Sequence, residues 1–295
     1  MRNQERLKSS LDRLYESHGR QYLDQDPLRF VHRYADPSDQ EIIGFIASAF
    51  AYGRVDQILK SLDVLFTPMP NHPSEWILEC TVDDWISCYE GFRYRFQSAE
   101  DFIALLWLLQ DCLLRFGSIE NSLLHFCGKT RGDLLNLRDG LTGWVRHFRL
   151  RLGNYPRKRY LQALSFHGIH HLLPDPASGS PCKRWNLFLR WMVRGPDALD
   201  LGIWKCLSPS ELILPLDTHT ARICRYLDFT RRALPSWTMA EEITEVLRRL
   251  NPEDPIRYDF SLARLGISEH CPRRRTPAHC RPCEMKEFCH VSHSS

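Results

Sequence analysis

Apolar residues recur at helical rather than alternating spacing through most of the chain. Runs of this kind hold Ile42, Ile43, Ile46 and Phe50; Phe102, Leu105, Leu106, Leu109 and Leu113; and Ile243, Val246, Leu247 and Leu250. Start and stop signals agree with them. Asp36, Ser38 and Asp39 precede the run that begins at Glu41, Gly53 closes it, and Pro68, Pro70 and Pro73 mark a loop. Further helices are predicted over 5–17, 55–66, 98–116, 133–151, 181–194, 218–227, 238–250 and 254–265. Strand signals are nearly absent, so the expected fold class is all-α. The stretches 171–181 and 195–216, rich in Pro, Gly and Ser, read as loops, the second with room for a short helix. The expected organisation is two helical lobes. A central one over 30–194 ends in a hairpin-like turn, and a second over 195–295 is joined by the helix within 1–29.

The chain has 295 residues, room for a real core, and its 43% hydrophobic and 25% charged content excludes the core-poor signature of disorder. A net charge of +3 is too small to signal a nucleic-acid partner, so any such argument must come from local clusters of Arg and Lys. The longest strongly apolar stretch, Phe102 to Leu109, is stopped by Gln110 and Asp111. That is far short of the roughly 20 residues a membrane helix needs, so no membrane partner is expected. The N-terminal MRNQERLKSSLDRLY is amphipathic, without the apolar core of a signal peptide. Of eleven cysteines, seven are scattered singly (Cys80, Cys88, Cys112, Cys127, Cys182, Cys206 and Cys224), an arrangement that points to a reducing cytoplasm rather than a disulfide framework.

The other four crowd the C-terminus. Cys271, Cys280, Cys283 and Cys289 follow a C-x8-C-x2-C-x5-C spacing, and four thiolates so close in sequence can converge on one metal. Zinc and a [4Fe–4S] cluster both accept four cysteines, and the spacing leaves both open. Arg273, Arg274, Arg275, Arg281 and Lys286 make this loop basic, which suits phosphate contact as well as plain solvation.

In SGSPCKRWNLFLRWMV a small-residue turn, Ser178, Gly179 and Ser180, runs into a helix whose N-terminus is a natural phosphate seat. Lys183 sits in its first turn, where the helix dipole favours the neutral, nucleophilic amine; on its own, Lys183–Arg184 reads as an ordinary surface pair. In PLDTHTARICRYL, Asp217 stands at a helix start, where an Asp is a cap and where the dipole also favours the ionised carboxylate.

Taken in order, these pieces resemble the helix-hairpin-helix DNA glycosylases of the endonuclease III type. The likeness runs through Gly179, Lys183, Asn186 and Leu189, then Asp217, Thr218, His219 and Arg222, then Cys271, Cys280, Cys283 and Cys289. It covers mainly the last 120 residues. CKRWNLFLRWMVR with PLDTHTARI also resembles a bacterial family known only as a domain of unknown function. The glycosylase resemblance implies that Lys183 attacks deoxyribose C1′ to form a Schiff base and that Asp217 stabilises the oxocarbenium-like centre. It implies further that the four cysteines hold a [4Fe–4S] cluster in a DNA-binding loop, and that the target nucleotide is rotated out of the duplex. Phe50 or Tyr52 is a candidate for the side chain that fills the gap. The chain departs from the pattern at Pro181, where the family's hairpin usually has a second glycine, and in a longer interval from Lys183 to Asp217, which requires 195–214 to loop out. The first cysteine interval is also two residues longer than usual.

A basic stretch, Arg146 to Tyr160, supplies Arg146, Arg149, Arg151, Arg157, Lys158 and Arg159 with Tyr155 and Tyr160 interleaved, a mixture suited to phosphate contact and stacking. The expected DNA-contacting set is Gly179, Ser180, Arg184, Arg157, Lys158, Arg159, Arg273 and Arg274. The expected function is a monomeric DNA glycosylase acting on double-stranded DNA with a damaged or abasic nucleotide, with or without an associated AP-lyase activity. A non-catalytic iron–sulfur protein that binds DNA or RNA, and a zinc-stabilised structural protein, are the alternatives.

Overall fold

The computed structural model describes residues 2–128, 136–163, 166–267, 271–272 and 276–291. About 64% of the chain is helical and only two short strands occur, so the fold is all-α as the spacing predicts. The chain divides into two compact units, Leu23–Ser178 and Met1–Tyr22 with Gly179–Ser295. The division falls at 178/179 rather than at 194. The segment 179–194 therefore groups with the C-terminal part of the chain, and the hairpin-like element is split between the units.

The first helix, α1 (Arg2–Glu16), belongs to the discontinuous unit. The continuous unit runs through a 3₁₀ helix (Pro27–Arg33), α2 (Pro37–Ala49), α3 (Val55–Phe66), α4 (Pro73–Glu79) and α5 (Val82–Tyr89). A two-stranded antiparallel hairpin follows, β1 (Arg93–Tyr94) with β2 (Gln97–Ser98), then α6 (Ala99–Phe116), α7 (Ile119–Cys127), α8 (Leu137–Arg151), α9 (Lys158–Ala163) and α10 (His167–Leu172). α6 is the hub, packed by α4, α5, α7, α9, α10 and β2. Its ends are written in the sequence: Ser98 and Asp101 form a reciprocal capping box, and Gly117 closes the helix in the left-handed region at φ 77°.

Buried acids in this unit cap neighbouring helices. Glu41, only 4% exposed, accepts from the backbone N–H groups of Ile119 (2.9 Å) and Glu120 (2.8 Å) at the start of α7. Asp39 does the same for Ser74 in α4 through its N–H (2.9 Å) and hydroxyl. Of the helices that the periodicity does not reveal, α4 and α7 carry such caps and α5 is closed by its own Thr81–Asp84 capping box.

The discontinuous unit adds α11 (Lys183–Val193), α12 (Thr218–Tyr226), α13 (Trp237–Leu250), α14 (Asp259–Ile267) and α15 (Pro277–Cys280). α1 packs on α13 and α14, and α12 packs on α14. α14 starts five residues later than the predicted 254, because the Asp254 carboxylate is committed to Arg194 and residues 255–258 form turns. Among the described residues no single helix is long and apolar enough to cross a membrane. Only the bent pair α6 and α7, broken by 73°, passes that test on length and composition, and most of α6 is core.

Candidate functional site

The chemistry-bearing residues of the discontinuous unit gather where α11 and α12 begin. Gly179 takes φ 80° in the turn before α11, and its carbonyl accepts from Trp237 N–H of α13 (3.1 Å), pinning the turn to the unit. Cys182 caps the helix in the left-handed region at φ 45°, its N–H donating to Ser180 Oγ (3.2 Å), while Asn186 Nδ2 donates to the Pro181 carbonyl (3.2 Å). The phosphate seat expected at Gly179 and Ser180 is thereby narrowed. Pro181 has no N–H to offer and that of Cys182 is already engaged within the turn.

Asp217 is the N-cap of α12. Its Oδ1 accepts from His219 N–H (2.8 Å) and Thr220 N–H (2.9 Å). The other oxygen, Oδ2, stands 3.5 Å from Lys183 Nζ. Lys183 and Asp217, 34 residues apart in sequence, therefore meet as an ion pair at two helix N-termini. Burial opposes the charge on Asp217, but the Lys183 ammonium and the two cap N–H groups outweigh it and hold the carboxyl below the usual carboxylate range.

The long interval between the two is accommodated as the sequence requires. Residues 195–216 fold back along α11, with Leu201 N–H donating to the Trp191 carbonyl (2.9 Å) and Trp204 N–H to that of Met192 (2.8 Å). Leu214 N–H then reaches Thr244 Oγ1 of α13 (3.0 Å). Gly202 lies so close to the backbone of Gly195 that a Cβ would sit 2.3 Å from the Gly195 carbonyl carbon, so the return is made by two glycines in contact.

Below this pair lies a buried charge network that sequence reasoning missed. Arg190, 3% exposed, bridges Asp200 (3.2 Å) and Asp259 (2.5 Å). Arg194 bridges Asp197 (2.5 Å), Asp200 (2.8 Å) and Asp254 (2.9 Å), and donates to Tyr15 Oη (3.2 Å). Lys183 and Arg190, seven residues apart, fall on one face of α11, and Arg194 follows four residues later at its C-cap. The signal was present: two arginines inside the apolar run FLRWMVR can only be buried if acids meet them.

The four C-terminal cysteines are each half-buried. Cys271 is pushed up to about 11, first by burial and also by the charges of Cys289, Cys283 and Cys280, with Arg222 acting in the other direction. By its chemistry, a set of four cysteine sulfurs fits a soft metal or an iron–sulfur centre. Among the described residues no group of three or more His, Cys, Asp or Glu side chains is already arranged to hold a metal ion. The loop is tied to α12 at both ends. Arg222 donates to the carbonyls of Cys271 (2.8 Å) and Gly266 (2.9 Å), and His290 N–H donates to that of Tyr226 (2.7 Å).

Several expected DNA contacts are corrected. Arg184 is only 8% exposed within α11. Arg157 is paired with Glu100 (3.0 Å) and stacked on Tyr160, and Tyr155 is buried with its hydroxyl on Glu100 (2.7 Å), so neither is poised to stack on a base. Lys158 donates to the Gly153 carbonyl (2.9 Å), whereas Arg159 is exposed. Arg149 and Arg151 are likewise engaged, by the Leu173 carbonyl and by Asp111. Arg273 and Arg274 lie outside the described residues. Phe50 is wholly buried against Phe92, Tyr94 and Phe102, which removes it as a gap-filling side chain.

Tyr52 instead belongs to a surface group in the continuous unit. Its ring stacks on Phe96 (6.0 Å between centroids, 7° between planes), and Phe96 is 48% exposed at the tip of the β1–β2 hairpin. The Arg95 guanidinium lies over both rings at 5.8 and 5.6 Å, from a residue held at φ 54°. Gly53 makes room for it, since a Cβ there would come within 2.7 Å of Arg95 Nη1. Beside the hairpin an open hollow of about 500 Å³ is lined, among the described residues, by Arg54, Lys60, Arg93 and Arg95 with Phe92 and Tyr94, and Arg54 is paired with Asp56 (3.1 Å).

Fold and site together define an all-α protein with a Lys–Asp pair at two helix starts and a C-terminal four-cysteine loop. The model of a family described as "Protein of unknown function (DUF2400)" matches residues 26–268, and the chain belongs to that family. The matched span contains Lys183, Asp217 and the buried arginines but ends before Cys271. No curated protein and no solved structure matches the chain.

Proposed function

We propose that the protein is a base-excision DNA glycosylase of the helix-hairpin-helix kind, with Lys183 and Asp217 as its reacting pair. The observation behind this reading is the 3.5 Å approach of Lys183 Nζ to Asp217 Oδ2. An amine nucleophile and a carboxylate kept ionised are what attack on a sugar carbon requires. The neutral Lys183 nitrogen forms a bond to C1′ as the bond from C1′ to the base breaks. The bonding electrons leave with the base, which takes up a proton. Asp217 Oδ2 faces the cationic character that develops at the sugar, and its Oδ1 is held still by two backbone N–H groups. Ring opening then gives a Schiff base, from which an AP-lyase step can proceed.

Cys271, Cys280, Cys283 and Cys289 would hold the [4Fe–4S] cluster, or zinc in its place, and the centre when bound would supply structural closure of their loop. Metal analysis of native protein separates iron from zinc. The same ion pair would also serve a non-catalytic DNA- or RNA-binding protein as a strut between α11 and α12, because Asp217 caps α12 with Oδ1 while Oδ2 faces Lys183. Excision of bases from a panel of damaged duplexes by the full-length protein distinguishes the two.

DNA binding in this reading draws on the basic hollow beside the hairpin and on the Tyr52–Phe96 stack. Lys60→Gln with Arg93→Gln is expected to weaken binding to duplex DNA about tenfold or more at physiological salt. The same change should reduce the dependence of log K on log salt by about two, one for each phosphate that is no longer neutralised. Titrations of both proteins at several salt concentrations check this. An unchanged slope would return the hollow to a solvated surface.

A further inference from the structure

The Tyr52 ring at the β1–β2 hairpin is fixed by its neighbours. Its hydroxyl donates to Oε1 of Gln97, a wholly buried residue whose Nε2 donates to the Gly168 carbonyl (3.2 Å) and meets His171 Nδ1 (3.2 Å). The Tyr94 hydroxyl donates in turn to the Tyr52 carbonyl. On this fixed ring lies Phe96, parallel to within 7°. Arg95 stands 5.8 Å from the Tyr52 ring and 5.6 Å from that of Phe96, and His171 stands 4.7 and 4.8 Å from the same two rings. A group equidistant from two stacked rings flanks the stack, so neither Arg95 nor His171 covers its outer face. The His167 ring comes only to 6.0 Å of Phe96. Phe96 keeps 48% of its surface exposed, and with one face on Tyr52 the exposed part is the other. Arg95 reaches this place from a non-glycine backbone at φ 54°, a costly conformation, and it also lines the basic hollow. The aromatic face and the hollow are therefore continuous through one side chain. Arg54 is held by Asp56, whereas Lys60, Arg93 and Arg95 enter no ion pair among the described residues.

We propose that Phe96 is a stacking platform for one unpaired base of a nucleic-acid strand, whose flanking phosphates lie in the hollow at Lys60, Arg93 and Arg95. The proposal rests on the reading of the hollow as a DNA surface and is independent of any chemistry at Lys183. A base inside an intact duplex has both faces covered by its neighbours, so a ring at the tip of a hairpin can stack only on a base that has left the helix. Every base has such a face, and the ring therefore selects for the absence of pairing rather than for sequence. The cations hold the strand by its phosphates whatever the state of its bases. Affinity comes from the hollow, and discrimination comes from Phe96. Because the Tyr52 ring behind it is already fixed, Phe96 meets the base with little ordering still to be done.

Two duplexes of equal length, one fully paired and one with a single extra thymidine in one strand, present nearly the same phosphates and differ in one unpaired base. The full-length protein is expected to bind the bulged duplex about tenfold more tightly than the paired one. Phe96→Ala should bind both alike with its salt dependence unchanged, and Phe96→Trp should keep the preference. Lys60→Gln with Arg93→Gln should weaken both duplexes by the same factor and lower the salt slope on each. A wild-type protein without the preference, or a preference that survives in Phe96→Ala, overturns the proposal while the DNA surface stands. Undiminished binding in Lys60→Gln with Arg93→Gln overturns the surface and the proposal together. A second measurement needs no variant. With 5-iododeoxyuridine at the extra position, irradiation joins the base to an aromatic ring stacked on it, and peptide mapping of the wild-type adduct is expected to give Phe96. Attachment at another residue, or no attachment, overturns the proposal.

Discussion

Asp217→Asn is expected to keep the fold and the affinity for duplex DNA and to lose about a hundredfold or more of base release. The amide is nearly isosteric, and its oxygen can still accept the N–H groups of His219 and Thr220 that now lie 2.8 and 2.9 Å from Oδ1. What disappears is the charge 3.5 Å from Lys183 Nζ. The change also has a pH signature in stability. A carboxyl held below its ordinary 3.8 contributes stability that is fully present above that value and is lost as pH falls through the folded-state value. The deficit of the Asn variant should therefore be full at pH 7 and vanish in strong acid. Base release assayed alongside urea unfolding reads both effects. Full activity in the variant would reduce Asp217 to a helix cap.

The second large effect is structural. Arg194→Met is expected to cost about 3–5 kcal/mol at neutral pH, because it leaves the buried Asp200 and the half-buried Asp254 without the guanidinium between them. Burial already raises both carboxyls against the pull of their arginines. Groups whose folded-state value is raised favour the fold below that value and oppose it as pH rises through it. The cost of Arg194→Met should thus be largest at pH 7 and shrink toward pH 4, where both acids can be protonated. Urea unfolding of variant and wild type at the two pH values measures it. A cost that does not change with pH would mean that Arg194 acts through packing alone.

These residues also show what the sequence makes legible. The helices at 55–66 and 98–116 could be read almost to the residue, because apolar period and caps coincide there, as in the Ser98–Asp101 box and the Gly117 stop. α4, α5 and the β1–β2 hairpin could not, being too short to show a period, and α7 depends on Glu41, a cap 78 residues away in sequence. The meeting of Lys183 with Asp217 followed from ordered motifs, since each stands at a helix start that local residues announce. The basic run around Arg157 misled for a physical reason. Its charges answer Glu100 and Asp111, carried by α6 far earlier in the chain, and a count of arginines does not see the acids that face them. Asp259 stayed hidden because a lone acid in DFSLARLG reads as a helix-start residue until Arg190 is found against it.

The central claim is that Lys183 is a nucleophile toward a sugar carbon with Asp217 beside it. Reduction by borohydride in the presence of abasic duplex DNA makes the Schiff base permanent, and the attached residue can be read by peptide mapping. The expected result is a covalent adduct at Lys183 in the wild-type protein, absent in Lys183→Gln while duplex binding is nearly retained. An adduct that persists in Lys183→Gln, or a wild-type protein that forms none and excises no base from any damaged duplex, would contradict the claim.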